Sequence, residues 1–511
     1  MRKHTRLILF LALARFILPY LLQNGIYEPH RDEFLYLAQG NHLAWGFLEV
    51  PPFLSVFAWL IHLFGNSVFW IRFWPDLFGS LTFLLCADAV RLLGGKQFSI
   101  WLVFFAFVFT GWLRMFFLFQ PNAPEIFFIT LMNYRIFRYI IDRKPKYLFL
   151  FGIAAGLGML TKYTVAFWAF SLFTGLALTS KRKIFKERKF YFSLIIAFLI
   201  FLPNFLWQAF HQFPFVHHME ELKSTQLNYI SPGDFFKEEF LMYLPVFFVW
   251  IAGLIFCLSR RGRDYKVFCI SFLVLQVIML LLHGKSYYTA GSFTFLFVFG
   301  AIALENGIRN RLVKYMAIVF PLVTGIFFWP LLLPVTRPAE LAKLYQKMHL
   351  DKSGLLRWED LKSHPLPQDF ADMLGWKEMT EKTEKVYSTL TPEEKKDVII
   401  WCDNYGEAGA INFFGKKYHL PEAYSANGSF LFWLPSTRFP DNVILISRNE
   451  DAVDDPYVRQ FNAVKVMDSI TNPFSREYKT LILSLQKPST GFRQLFQKRI
   501  DSLRNQFGGY R

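Results

Sequence analysis

The chain has 511 residues, of which 53% are hydrophobic and only 19% charged; 62 are Phe, and the formal charge is +17. That composition excludes a water-soluble globular chain, whose surface carries ~25–35% charged residues, and also disordered, collagenous and disulfide-framework classes. The four Cys read as small buried hydrophobes, and the basic residues fall in short clusters between apolar runs, a membrane-topology and lipid-headgroup signal rather than a nucleic-acid one.

About 20 apolar residues at 1.5 Å rise cross a bilayer core. Runs of that kind predict a polytopic α-helical membrane protein with about eleven transmembrane helices, near 7–22, 68–90, 98–119, 123–141, 147–161, 163–180, 190–207, 239–258, 267–283, 287–304 and 313–335. The pair 147–161 and 163–180 is short, with Lys162 between, and reads as a tight hairpin or as one kinked helix. Gly152, Gly156 and Gly158 predict close helix packing there. Basic clusters at Met1-Arg2-Lys3, Arg91, Arg143-Lys144, Lys181-Arg182-Lys183, Arg260-Arg261 and Arg309 alternate with loops nearly free of Lys and Arg. The positive-inside rule then predicts a cytoplasmic N-terminus and an extracytoplasmic C-terminus. No small-residue cleavage site follows the first span, which reads as a retained helix.

Two outer loops are long. The first, 23–67, holds turns at Asn24-Gly25 and Glu28-Pro29, and an amphipathic stretch over 32–45 that predicts a helix lying on the membrane surface. The second, 208–238, is rich in His and charge. Beyond a transmembrane domain of 1–338, residues 339–511 are polar and turn-rich. Strands over 397–405, 442–447 and 479–485 and a helix over 407–418 predict an extracytoplasmic α/β domain.

Several charged residues in this frame have a chemical and a bland reading. In Arg31-Asp32-Glu33 the two carboxylates diverge by ~100° on a helix. One of them faces a cleft while the other packs or pairs with Arg31; the bland reading is an acidic pair favoured at a helix N-terminus. Glu49 stands at the rigid corner before Pro51-Pro52, as a site group or as a solvated turn. Lys285 sits at an outward turn with Tyr287 and Tyr288, which suits a phosphate or an interfacial anchor; adjacent helical residues diverge, so one Tyr faces the cleft. Lys162 is costly in an apolar stretch unless it reaches an interface or an anion. Arg72 and Arg114 snorkel or serve a site. Asn427-Gly428-Ser429 reads as a turn.

The segment DEFLYLAQGNHLAWGFLEVPPF, from Asp32, resembles the first outer loop of GT-C glycosyltransferases of the protein-mannosyltransferase and aminoarabinose-transferase type, the bacterial family 39-like enzymes. Gln120-Pro121-Asn122-Ala123-Pro124, the 156–162 segment, Leu202-Pro203-Asn204, Gly284–Tyr288 and the 404–430 segment extend the likeness over most of the chain. The resemblance implies a polyprenyl-phosphate sugar donor and a lipid, glycan or protein acceptor, at the outer face of the bacterial cytoplasmic membrane. It implies inverting transfer with Asp32, or its neighbour Glu33, as general base. Lys285 and a following Tyr are implied at the donor phosphate, with Lys162 similar. Asn122 stands where many relatives carry Asp, so no acid acts there, although its amide still suits sugar hydroxyls. In aminoarabinose transferases a loop His and the Glu before Pro-Pro are associated with a metal. Here Glu49 with His217 or His218 is the counterpart, but Val50 replaces the expected Lys, and two ligands fall short of the usual three or four. A divalent metal is thus the one cofactor the resemblance allows, and none is assigned. The rival reading is a transporter or flippase of lipid-linked saccharides, which calls for repeat halves and midplane polar groups; the charged residues here gather at outer helix ends.

Overall fold

The computed structural model describes residues 2–352, 354–435 and 439–506, with the backbone alone at 2, 3 and 504. The side chains of the basic start Met1-Arg2-Lys3 lie outside the described residues. Among the described residues six helices are long and apolar enough to span a membrane: His4–Leu22, Val68–Leu92, Arg188–Phe210, Arg263–Leu281, Ser286–Gly307 and Arg311–Leu332. Pro232–Met242 and Leu244–Leu258 form a pair bent by 65° that makes a seventh if counted as one span.

The other four expected spans all fall between 97 and 177. Gln97–Val108 stops short, and Thr110 starts a separate five-residue helix by accepting the Trp112 N–H. Asn122–Asp142 carries Glu125, Arg135 and Arg138 within its length. Lys146–Met159 and Thr164–Ala177 have 14 residues each, about 21 Å against a ~30 Å core. The Phe151 and Phe173 rings lie 6.4 Å apart across the break between them, so residues 147–180 fold back as a hairpin, the first of the two readings. Gly152 lies so close to the Arg188–Phe210 helix that a Cβ would meet the Ser193 carbonyl at 2.2 Å, the close packing the glycines predicted.

The C-terminal region holds a five-stranded sheet of order β2-β1-β3-β5-β4: β1 Val398–Cys402, β2 Ala423–Tyr424, β3 Asn442–Ser447, β4 Phe461–Ser469 and β5 Leu481–Pro488. β1 runs parallel to β2 and β3, and β5 antiparallel to β3 and β4. The sequence reading missed the edge strands: β2 has two residues, and β4 is largely exposed with polar residues on both faces. The Tyr405–Phe414 helix follows β1, with Asn404 capping it through the Gly406 and Glu407 N–H groups.

The first outer loop is covered by this region. Its helix spans only Arg31–Gln39, and Phe34, Leu35, Leu37 and Ala38 are buried. Phe34 meets the rings of Trp376, Phe413 and Phe414 at 5.5, 5.9 and 5.7 Å, and Gly409 admits it, since a Cβ there would lie 2.7 Å from Phe34 Cβ. The apolar face expected to lie on lipid instead packs on protein.

Candidate active site

The Arg31–Gln39 helix is pinned from both sides. Its start is a reciprocal cap: His30 Nδ1 accepts the Asp32 N–H (3.1 Å), and Glu33 accepts the His30 N–H (2.6 Å). Glu33 is fully buried; it pairs with Arg72 and accepts the Phe119 N–H at 2.6 Å. Arg72 also donates to the Phe117 carbonyl (3.3 Å) and stacks on the Phe117 ring. Glu33 therefore faces the helical core rather than a cleft, and its partner is Arg72, not Arg31. Arg114 likewise pairs with Asp369. Neither of these arginines snorkels.

One residue earlier, Asp32 turns the other way. Its carboxylate accepts the Tyr405 hydroxyl (2.7 Å) and the Gln120 amide (3.4 Å). Burial works against its charge, but the His30 ring, the Arg31 guanidinium and the Tyr405 hydroxyl outweigh it and hold the carboxyl below the usual range.

Asp32 lies where two cavities meet. The first, about 780 Å³, is lined by Asp32, Tyr36, Glu49, Asn122, Lys162, Tyr287, Tyr288 and a run of apolar side chains including Phe167, Phe215, Met219, Leu222 and Met279. The second, about 720 Å³, shares Asp32, Glu49 and both tyrosines, adds Lys285, and is walled by Arg31, Arg114, Asp369, Asp372, Tyr405 and Arg476. Seven of the eight expected site residues thus line this space; Glu33 does not. Both Tyr287 and Tyr288 face it, because Ser286–Ser292 is a 3₁₀ turn rather than α-helix, and their rings sit 4.8 Å apart.

A polar chain runs along the cleft floor. Gln120 bonds Asp32; Asn122 donates to Gln120 (3.3 Å) and accepts from Lys162 (2.8 Å); Lys162 is 3.3 Å from Glu125 and stands over the Tyr288 ring at 4.3 Å. Lys285 donates to Gln226 (2.8 Å) on the second outer loop, whose Pro214–Thr225 helix lines the apolar cleft. Gln120, Glu125, Gln226 and Tyr405 are the members that sequence reasoning left without a role. Gln120 and Tyr405 had a local signal, their places in the Gln120–Pro124 and 404–430 segments.

Glu49 is clasped by the segment read as a turn. Ser429 donates its N–H to Glu49 Oε1 (2.7 Å) and its hydroxyl to Oε2. Gly428 has φ +61°, and a Cβ there would lie 2.6 Å from Glu49 Oε1. Burial pushes the Glu49 carboxyl up, against the opposing His218 ring and the Ser429 hydrogen bonds.

The residues poorly fit a metal. His218 lines the cavity beside Glu49, whereas His217 is 3.9 Å from Glu220, so that pair still offers two donors. The three-donor group among the described residues is His30, Asp369 and Asp372. There Arg114 already pairs with Asp369, Arg476 with Asp372 (3.1 Å), and His30 Nδ1 caps a helix. It is a charge-balanced knot.

Residues 49–207 match the protein-family profile described as dolichyl-phosphate-mannose-protein mannosyltransferase. The chain is 23% identical over 324 residues to lipid A galacturonosyltransferase RgtD of Rhizobium johnstonii, covering 59% of this chain and 67% of that one. It is 25% identical over 313 residues to an uncharacterized protein of Aquifex aeolicus, covering 54% and 61% respectively. Its fold is similar to that of ArnT from Cupriavidus metallidurans bound to undecaprenyl phosphate, with a TM-score of 0.61 at 13% identity, over 94% of this chain and 97% of that one. Profile, relatives and architecture agree in supporting a membrane glycosyltransferase of the GT-C type: the chain resembles the protein mannosyltransferases in sequence over residues 49–207, and its fold is similar to that of ArnT.

Proposed function

We propose that the chain transfers a sugar from a polyprenyl-phosphate donor to a lipid, glycan or protein acceptor, with Asp32 as general base and inversion at the anomeric carbon. The observation that carries this reading is the placement of Asp32: an ionised carboxylate, held by a neutral hydroxyl and an amide, at the junction of an apolar and a polar cavity. The apolar cleft suits a prenyl tail, and the polar chamber suits sugar and acceptor.

The acceptor oxygen attacks the anomeric carbon while the bond from that carbon to the phosphate oxygen breaks. The acceptor proton passes to Asp32, and the prenyl phosphate leaves as an anion. Lys162, Lys285 and the Tyr287 and Tyr288 hydroxyls supply charge and donors for it. Asn122 links Lys162 to Gln120 and so couples the phosphate side to the base. Glu33 holds the helix that aims Asp32. Names of relatives favour the same donor and acceptor classes: ArnT was solved with undecaprenyl phosphate, and RgtD is a lipid A galacturonosyltransferase.

The site belongs on the extracytoplasmic side in this reading, in the bacterial cytoplasmic membrane, with 1–338 as the membrane domain and 339–511 outside. Counting the bent pair as one span gives seven crossings, and adding the four other expected spans gives eleven; both counts are odd, which supports N- and C-terminus on opposite faces. The decisive experiment incubates the purified protein with a polyprenyl-phosphate sugar and candidate acceptors. The reading requires a glycoside of inverted anomeric configuration and one free prenyl phosphate per transfer. Retained configuration, or sugar-lipid movement across vesicles without cleavage, sinks it.

A further inference from the structure

Three arginines wall the polar chamber, and they are not alike. Arg114 is paired with Asp369, and Arg476 with Asp372 (3.1 Å) and Glu359 (2.8 Å). Arg31 has neither arrangement. Among the described residues no carboxylate lies at ion-pair distance from its guanidinium, and its buried Nε has no hydrogen-bond partner. The guanidinium instead stacks over the Tyr405 ring at 4.6 Å, and its stem fits against Gly406, where a Cβ would meet Arg31 Cγ at 2.6 Å. Tyr405 spends its hydroxyl on Asp32. A ring and a glycine thus orient a cation beside the base and leave its planar donor fork free.

A largely buried, unpaired guanidinium is costly unless a ligand completes it, and its fork matches carboxylate and phosphate oxygens. In this reading the donor phosphate already has Lys162, Lys285 and the Tyr287 and Tyr288 hydroxyls for partners. Arg31 stands in the polar chamber with Lys285 and the tyrosines and does not line the apolar cleft where Lys162 lies.

We infer that Arg31 binds a second substrate anion in the polar chamber, either a carboxylate on the transferred sugar or a phosphate on the acceptor headgroup. The inference rests on the reading that this chamber takes sugar and acceptor. Both sources present the same oxyanion to the same fork, and the test separates them.

Wild type, Arg31→Gln and Arg31→Lys are purified in detergent and compared on two matched pairs of probes. The donor pair is polyprenyl-phosphate galacturonate against polyprenyl-phosphate galactose, which differ at one carboxylate. The acceptor pair is phosphorylated lipid A against its dephosphorylated form. For each pair the ratio of kcat/KM, and of donor or acceptor Kd by calorimetry, is taken as anionic over neutral. One ratio should fall about 10- to 100-fold in Arg31→Gln and by less in Arg31→Lys, which keeps the charge and loses the fork. The pair that responds names the source. If both ratios stay at their wild-type values, whatever happens to total activity or to the pH profile, Arg31 only tunes Asp32 and the inference is overturned. The Kd ratios stand without turnover. A chain that transfers nothing but discriminates the anionic probe through Arg31 refutes the proposed reaction and keeps the anion site.

Discussion

The helical wall of this site holds its carboxylates with cations, whereas the C-terminal region reaches two carboxylates of the first outer loop with hydroxyls. On the helical side Glu33 is locked to Arg72 and Glu125 lies against Lys162, cation to anion. Two carboxylates that face the cavity from the first outer loop are instead held by hydroxyls of the C-terminal region, Asp32 by Tyr405 and Glu49 by Ser429. A buried carboxylate whose oxygen pairs directly with a cation is neutralised and structural; Asp32, with a hydroxyl and an amide on its oxygens and the His30 ring and Arg31 guanidinium nearby, keeps its charge for a substrate. The contrast separates adjacent residues Asp32 and Glu33, which the sequence alone presents as equals.

The sharpest way to break that distinction is to neutralise each in turn. Asp32→Asn should lower kcat by about 10²–10⁴-fold with the thermal midpoint unchanged. Arg72→Met should do the reverse, costing about 3–5 kcal/mol of stability by leaving Glu33 buried and unpaired, read as a fall in Tm. If Asp32→Asn destabilises as much as Arg72→Met and the folded fraction keeps its rate, the two roles are the wrong way round.

Lys285→Ala should raise the apparent donor KM and lower kcat, and Lys285→Arg should recover part of both, since charge returns with altered geometry. Steady-state kinetics on monodisperse protein decide this: unchanged constants with poorer expression mean an anchor.

Tyr405→Phe removes a hydrogen bond to the charged form of Asp32, so the Asp32 pKa should rise. In wild type the carboxyl sits below its ordinary value, so the acidic limb of kcat/KM should lie below the ordinary carboxylate range. In Tyr405→Phe that limb should move toward neutral pH, with a loss of about 10-fold or less at pH 7. A limb that does not move removes Tyr405 from the base.

The smallest effect is expected at Gly428. Gly428→Ala adds a Cβ where φ is +61° and Glu49 Oε1 is 2.6 Å away, costing about 1–2 kcal/mol. Thermal unfolding should show a modest fall, and Glu49→Gln should lessen it by relaxing the clasp.

Much of the architecture was legible because apolar length is a local property. Arg188–Phe210 and Arg311–Leu332 stand out as continuous runs, and β1 and β3 as buried apolar strands. The stretch from 97 to 177 was read less well. Its helices are short or carry charge, and tertiary contacts such as Lys162 with Glu125 and Asn122 supply partners that hydropathy does not register. The edge strands β2 and β4 lacked period and burial for the same reason.

The sequence by itself determined the class of molecule, its run of apolar helices, the polar C-terminal region and seven of the residues around the cavities. Composition and short motifs carry that information. Only the tertiary structure decided that Asp32 faces the cavity while Glu33 faces Arg72, that Tyr405 and Ser429 reach the carboxylates, and that Arg31 stacks on Tyr405 with no carboxylate at ion-pair distance among the described residues. Those contacts join residues up to 380 positions apart. The physical reason is that a side chain's charge state and direction depend on what surrounds it in space, and that is set when the C-terminal domain closes over the first outer loop.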